Sequence, residues 1–219
     1  TKKTQTSKQT NWLVIGGVVI AGVIGLFALL YLGLREPEQL TLADYCTGAQ
    51  DNCVTYGDAN APATLVEVSD FGCPHCRAFH QEKAETIMQQ YVEPGQVRWV
   101  FVPYALRPET LPAANAALCA NEQDRYFEFT SALFGQADAE RSITRDGFVE
   151  AGQEVGLEGD QFLQCLQDGR YNWIVEANQQ AARSAGVTAT PTFFVNDVAI
   201  RGNMPLEEFE RRFAQAIGG

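Results

Sequence analysis

The sequence predicts an α/β fold: a small sheet, interrupted by an inserted block of helices and preceded by one N-terminal transmembrane helix. Three observations predict it. Two apolar runs of strand length, Leu65 to Phe71 and Val97 to Tyr104, flank a stretch of helical periodicity that begins at Cys73-Pro74-His75-Cys76. A long helical stretch from Glu109 to Ala185 then separates these strands from a second strand pair. Upstream of all of it, Trp12 to Leu34 is 23 residues without a charge.

Taken in order, residues 1–11 are polar, with Lys2, Lys3 and Lys8 and no acid. The uncharged run that follows would be ~34 Å long as a helix, enough to cross a hydrocarbon core. The lysines favour an N-terminus inside the cell, so residues 1–11 read as a cytoplasmic tail and 12–34 as a signal-anchor. A cleaved signal peptide is the alternative, but its apolar region should be shorter. The expected location is therefore the cell membrane, single-pass, with the rest of the chain outside the cytoplasm.

All 27 acidic residues lie beyond Arg35, with all but four of the 16 basic ones. Such a surface argues against nucleic acid and against docking on anionic lipid. Residues 35–60 carry Pro37, Gly48, Gly57 and the pair Cys46/Cys53, and read as a linker that becomes an ordered lead-in segment. Residues 61–219 read as the main domain.

Within that domain Ala63 to Phe71 is a first strand, and Cys73 to about Tyr91 a helix with Phe79, Ala84, Ile87 and Met88 on one face. Pro94-Gly95 ends it, and VRWVFVPY (97–104) is a second strand. The helical insertion, about 107–185, divides at Gly135, Gly156 and Gly169. Thr192 to Val195 and Val198 to Arg201 form a hairpin across Asn196-Asp197. Leu206, Phe209, Phe213 and Ile217 share one face of a closing helix.

The chemistry sits at Cys73-Pro74-His75-Cys76. A strand ending near Gly72 and a helix beginning at Cys73 place the first sulfur over the free N–H groups of a helix N-terminus. Pro74 suits the first helical position, where its missing donor costs nothing. Cys73 should be a stabilised thiolate with Cys76, one turn inward, as the resolving thiol. A zinc site would want a second CxxC or paired histidines, and only His75 and His80 are present.

Six cysteines outside the cytoplasm point to disulfides. Spacing suggests Cys73–Cys76 as the redox pair, Cys46–Cys53 as a loop clasp and Cys119–Cys165 as a long-range staple. Redox relays stay open for the latter two, the first passing electrons toward a membrane partner. His80 reads as an ordinary surface or packing histidine. Asp44, Asp51 and Asp70 are scattered acids without a cation-loop signature and read as solvated. No metal site is expected.

The CPHC tetrapeptide, the strand pair, the helical insertion (Ala117-Leu118-Cys119-Ala120, Arg125-Tyr126-Phe127) and the run Val187 to Val195 with Thr190-Pro191 coincide in this order. Together, over roughly residues 60–217, they resemble the DsbA-like branch of the thioredoxin superfamily, the extracytoplasmic thiol:disulfide oxidoreductases. The resemblance implies a thioredoxin fold with a helical insertion. It implies Cys73 as attacking thiolate, Cys76 as buried resolving thiol, and His75 stabilising the Cys73 anion. It implies a cis peptide at Thr190-Pro191 where an extended substrate docks, and Glu67, six residues before Cys73, as a buried acid that relays the proton of Cys76.

The expected function is introduction of disulfides into unfolded or reduced exported proteins. No prosthetic group is needed beyond the redox-active disulfide, and a quinone-linked membrane oxidase of DsbB or VKOR type would reoxidise it. Alternatives are a disulfide reductase or isomerase of the same fold, or a tethered chaperone or metallochaperone.

Overall fold

A computed structural model describes residues 12–33, 41–48, 52–196 and 198–218. The basic tail, residues 34–40 and 49–51, and Asp197, on which parts of the expectations above fall, lie outside the described residues. The chain divides into two units, residues 1–39 and 40–219.

In the first unit, α1 (Trp12–Gly33) is a helix of 22 residues with no charged side chain. Side chains are described for 15–27 and 29–31 of it, and among the described residues no helix is long and apolar enough to cross a membrane. The helix expected over residues 12–34 is present, and the transmembrane span expected of it is not supported by the described residues.

The second unit is built on a five-stranded sheet in the order β1-β3-β2-β4-β5. β2 (Ala63–Ser69) and β3 (Val97–Pro103) are parallel, with Glu67 opposite Phe101. A parallel pair needs a crossover, supplied by α3 (Pro74–Phe79), a π-helical segment His80–Ala84, α4 (Glu85–Ile87) and a second π-helical segment Met88–Val92. β4 (Thr192–Val195) runs antiparallel to β2, and β5 (Val198–Arg201) antiparallel to β4. Between β3 and β4 lie α5 (Leu111–Asn121), α6 (Tyr126–Gly135), α7 (Arg145–Glu154), α8 (Gly159–Asp168) and α9 (Asn172–Ser184); α10 (Leu206–Gly218) closes the chain.

Strand alternation divides the core. Leu65, Trp99, Phe101 and Phe193 pack on the face carrying Phe79, Ile87, Phe129, Phe209 and Phe213. Val66, Val68, Val100 and Val102 face the other way, against Leu42, Cys46, Ala182 and Val187. The insertion is tied to the head of α3 by Arg77, whose guanidinium donates to Phe134 O, to Gln136 O (2.8 Å) and to Ser142 Oγ (2.6 Å).

The segment read as a linker becoming an ordered lead-in carries two elements among its described residues. α2 (Leu42–Gly48) buries Leu42 and Cys46, and β1 (Val54–Tyr56) pairs antiparallel with β3, Val54 opposite Phe101. Three residues are too few to show a period of two, and the strand exists because a neighbouring strand edge accepts it.

Candidate active site

The first thiol is placed by a short loop. Beyond β2, the Cys73 N–H donates to Asp70 O (3.0 Å) and the Arg77 N–H to Cys73 O (3.1 Å), which starts α3 with Pro74 in its first turn. Cys73 is the N-cap in extended conformation, and its side chain makes no capping bond. The cis peptide Thr190–Pro191 lies opposite, with Thr190 O 3.3 Å from Cys73 Sγ.

Both thiols are free, and they differ sharply. The Cys73 pKa is lowered to about 5, chiefly because the Cys76 thiol donates to its sulfur; burial opposes this, and the Thr190 side chain and the N–H groups of Cys76 and His75 add to it. Among the described residues Thr190 Oγ1 is buried with no hydrogen-bond partner, and the contact to the Cys73 sulfur is that of the Thr190 carbonyl. Cys76 is fully buried. Burial, then the neighbouring Cys73 sulfur, pushes its thiol far up, partly offset by the Asp70 N–H and Ser69. Asp70 N lies 3.4 Å from Cys76 Sγ.

His75 reaches Cys73 through its backbone N–H, while Pro74 and His75 themselves are exposed. Stabilisation of the thiolate therefore comes chiefly from the partner thiol, with Thr190 and the N–H groups of Cys76 and His75 at the helix N-terminus adding to it.

Below the thiols lies a buried polar chain. Glu67 is 1% exposed, on the β2 face that carries Leu65. Its Oε1 accepts from the Ser69 hydroxyl and lies 2.7 Å from His80 Nε2. Ser69 also reaches Cys76. His80, expected as an ordinary surface or packing histidine, is a buried partner of Glu67 stacked on Phe134 at 4.4 Å. The available signal was spacing: His80 follows Cys76 by four residues, which puts both on one helix face. A π-helical turn begins at His80.

Asp70 corrects a second expectation. It is buried, not solvated, and accepts from Gly72 N (2.7 Å), Leu106 N (2.6 Å) and Thr110 Oγ1 (2.5 Å). One carboxylate thus staples the Cys73 loop to the segment that enters the insertion. Asp44 caps α2, accepting from Thr41 Oγ1 at 2.8 Å.

The other four cysteines are bonded in pairs. Cys46–Cys53 joins α2 to the residue before β1, and Cys119–Cys165 joins α5 to α8, with Cα separations of 5.5 and 5.8 Å. A groove of about 1230 Å³ opens beside Met88, Val92 and Phe127, and none of Cys73, Cys76, Thr190 or Pro191 lines it.

A thioredoxin family model matches this chain over residues 49–213. This chain belongs to the thioredoxin family. Within the family it falls in the DsbA-like branch of protein-disulfide oxidoreductases. Disulfide bond formation protein D of Bacillus subtilis is 24% identical over 169 residues, 74% of this chain and 76% of that one. A Rickettsia typhi protein named as a protein-disulfide oxidoreductase is 24% identical over 87% of this chain and 72% of its own length. Of three further rickettsial relatives the chain spans only 56 to 61%. Among solved structures, Wolbachia pipientis alpha-DsbA1 superimposes with a TM-score of 0.68 at 26% identity, over 76% of this chain and 92% of that one.

Proposed function

We propose that this chain is a membrane-anchored oxidase that introduces disulfides into exported proteins. The asymmetry of the thiol pair carries the reading: a half-buried thiolate at Cys73 beside a buried, strongly protonated Cys76. Ionisation of Cys73 stabilises the reduced form, so the disulfide is a better oxidant.

A substrate thiolate attacks Cys73 Sγ of the disulfide. The S–S bond breaks, a mixed disulfide forms, and Cys76 takes the electron pair and a proton. Glu67 supplies that proton from below. A second substrate thiolate then attacks the substrate sulfur and expels Cys73 as its thiolate, the form the site favours. Thr190 O and Pro191 provide the edge on which an extended substrate segment lies.

The anchor is suggested by the uncharged run Trp12 to Leu34 in the sequence, with residues 1–11 inside the cell. An anchored enzyme would be reoxidised in the same bilayer, and a quinone-linked oxidase of DsbB or VKOR type fits that role. The disulfides Cys46–Cys53 and Cys119–Cys165 suit an oxidising compartment.

The deciding measurement is the Cys73–Cys76 potential against glutathione. The oxidase reading expects a value well above the roughly −270 mV of thioredoxin; a value at or below that figure replaces it with a reductase. The variant Cys76→Ala should accumulate mixed disulfides with exported proteins. Absence of such species, with metal co-purifying, would favour a binding module.

A further inference from the structure

Among the described residues, two buried polar atoms of this chain of groups have no hydrogen-bond partner: Glu67 Oε2 and His80 Nδ1. Glu67, His80, Thr130 and Tyr126 line a cavity of about 10 Å³, the size of one water. Glu67 Oε1 is by contrast fully engaged, between the Ser69 hydroxyl and His80 Nε2.

This pattern assigns the proton on His80. Nε2 faces a carboxylate oxygen and carries the hydrogen. The ring therefore donates from Nε2. It is held in that orientation by stacking on Phe134 and by Phe79 edge-on.

We propose that His80 is a positioning residue: by donating from Nε2 it holds the Glu67 carboxylate on Ser69, so that Cys76 exchanges its proton with Glu67 through the Ser69 hydroxyl. The proposal rests on the relay role given to Glu67 above and deepens it. When substrate opens the disulfide, the S–S electron pair goes to Cys76 Sγ. Ser69 passes its hydroxyl proton to that sulfur and takes one from Glu67, leaving the carboxylate that accepts from Ser69 and His80. Reoxidation runs the same path backwards.

The titratable groups facing the couple are Cys76, with Cys73 beyond it, from the α3 side, and Tyr126 from α6. Burial and the Glu67 charge hold the Tyr126 phenol well above its ordinary range. Asp70, at the end of β2, is saturated by its own three donors, and β3 presents only Phe101 and Val102 to the cavity.

The test is the rate of mixed-disulfide formation between the oxidised full chain and glutathione from pH 4 to 9, corrected for the glutathione thiolate fraction. In the parent protein the corrected rate falls where Glu67 loses its proton, and Glu67→Gln abolishes that fall. His80→Leu removes a donor from the carboxylate and moves the fall up by about one pH unit. His80→Gln keeps a donor and leaves the fall in place. Ser69→Ala slows the step roughly tenfold or more.

An unmoved fall in His80→Leu overturns the proposal, as does a His80→Gln profile that shifts with it, since the imidazole's own titration would then be at work. A Ser69→Ala rate equal to the parent's also overturns it. Should His80→Leu not fold, the Gln and Ala variants still decide. Exchange with glutathione proceeds whichever way electrons flow with exported proteins, so a low potential would refute the oxidase alone. A fall that persists in Glu67→Gln would refute the relay itself.

Discussion

The sharpest consequence of the site is the pH dependence of its redox poise. A thiol with a pKa of about 5, against about 8.5 in an unfolded chain, is almost wholly ionised at pH 7. Ionisation then stabilises the folded dithiol by about 2.7 kcal/mol, and by roughly 1.5–2.7 kcal/mol once solvent around the half-buried sulfur is allowed for. For a two-electron couple this raises the potential by roughly 30–60 mV.

Because the folded pKa is depressed, the stabilisation is fully present above pH ~8.5 and is lost as pH falls through about 5. Cys76, shifted the other way, keeps its proton throughout and affects stability only above pH ~8.5, where it opposes folding. The potential should therefore change by about 30 mV per pH unit above pH 5, one proton per two electrons, and by about 59 mV per unit below it. Glutathione equilibration from pH 4 to 8, with thiolate absorbance followed in parallel, measures both. A slope near 59 mV per unit across the whole range, with no thiolate absorbance at pH 6.5, would refute the assignment of Cys73 as the thiolate.

Three further outcomes follow from the geometry. Thr190→Val removes the side-chain hydroxyl that helps lower the Cys73 pKa and should raise it by about 0.4–1 unit, read from the same absorbance titration; no change would mean that the hydroxyl does not act on the thiolate. Gly72→Ala puts a Cβ 2.6 Å from Thr110 Cγ2 and 3.2 Å from Asp70 Oδ1, prying open the Asp70 staple. It should cost about 1–3 kcal/mol in urea unfolding and slow thiol exchange; a parent-like stability would show that the staple yields freely. Replacing Cys119 and Cys165 by Ser frees a loop of 46 residues and should lower stability by about 4 kcal/mol while the Cys73 pKa stays put. A shifted pKa would instead make that bridge part of the redox site.

Much of the site was legible because its signals are local. A cysteine before a proline at a helix start needs only the chain direction to place its sulfur over free N–H groups. Cys76 follows one turn on, inside the apolar face that Phe79 and Ile87 mark. The hairpin at 192–201 and the helix carrying Leu206, Phe209 and Phe213 show their periods plainly.

The less legible parts depend on residues far apart in sequence. β1 is a strand only because the edge of β3 is free to accept it. His80 has the composition of any packing histidine until Phe134 of α6 stacks on it and β2 turns Glu67 toward it. Asp70 looks solvated until Leu106 and Thr110 fold back over it.

By itself, then, the sequence determined the order of elements, the place of the two reactive sulfurs and the run of uncharged residues ahead of them, since periodicity, capping and spacing act within a few residues. Tertiary structure decided how the two thiols differ. Burial of Cys76, the approach of Thr190 from the loop before β4, and the Ser69–Glu67–His80 chain beneath them are long-range contacts in a low-dielectric interior, where a proton's position depends on which groups the fold brings together.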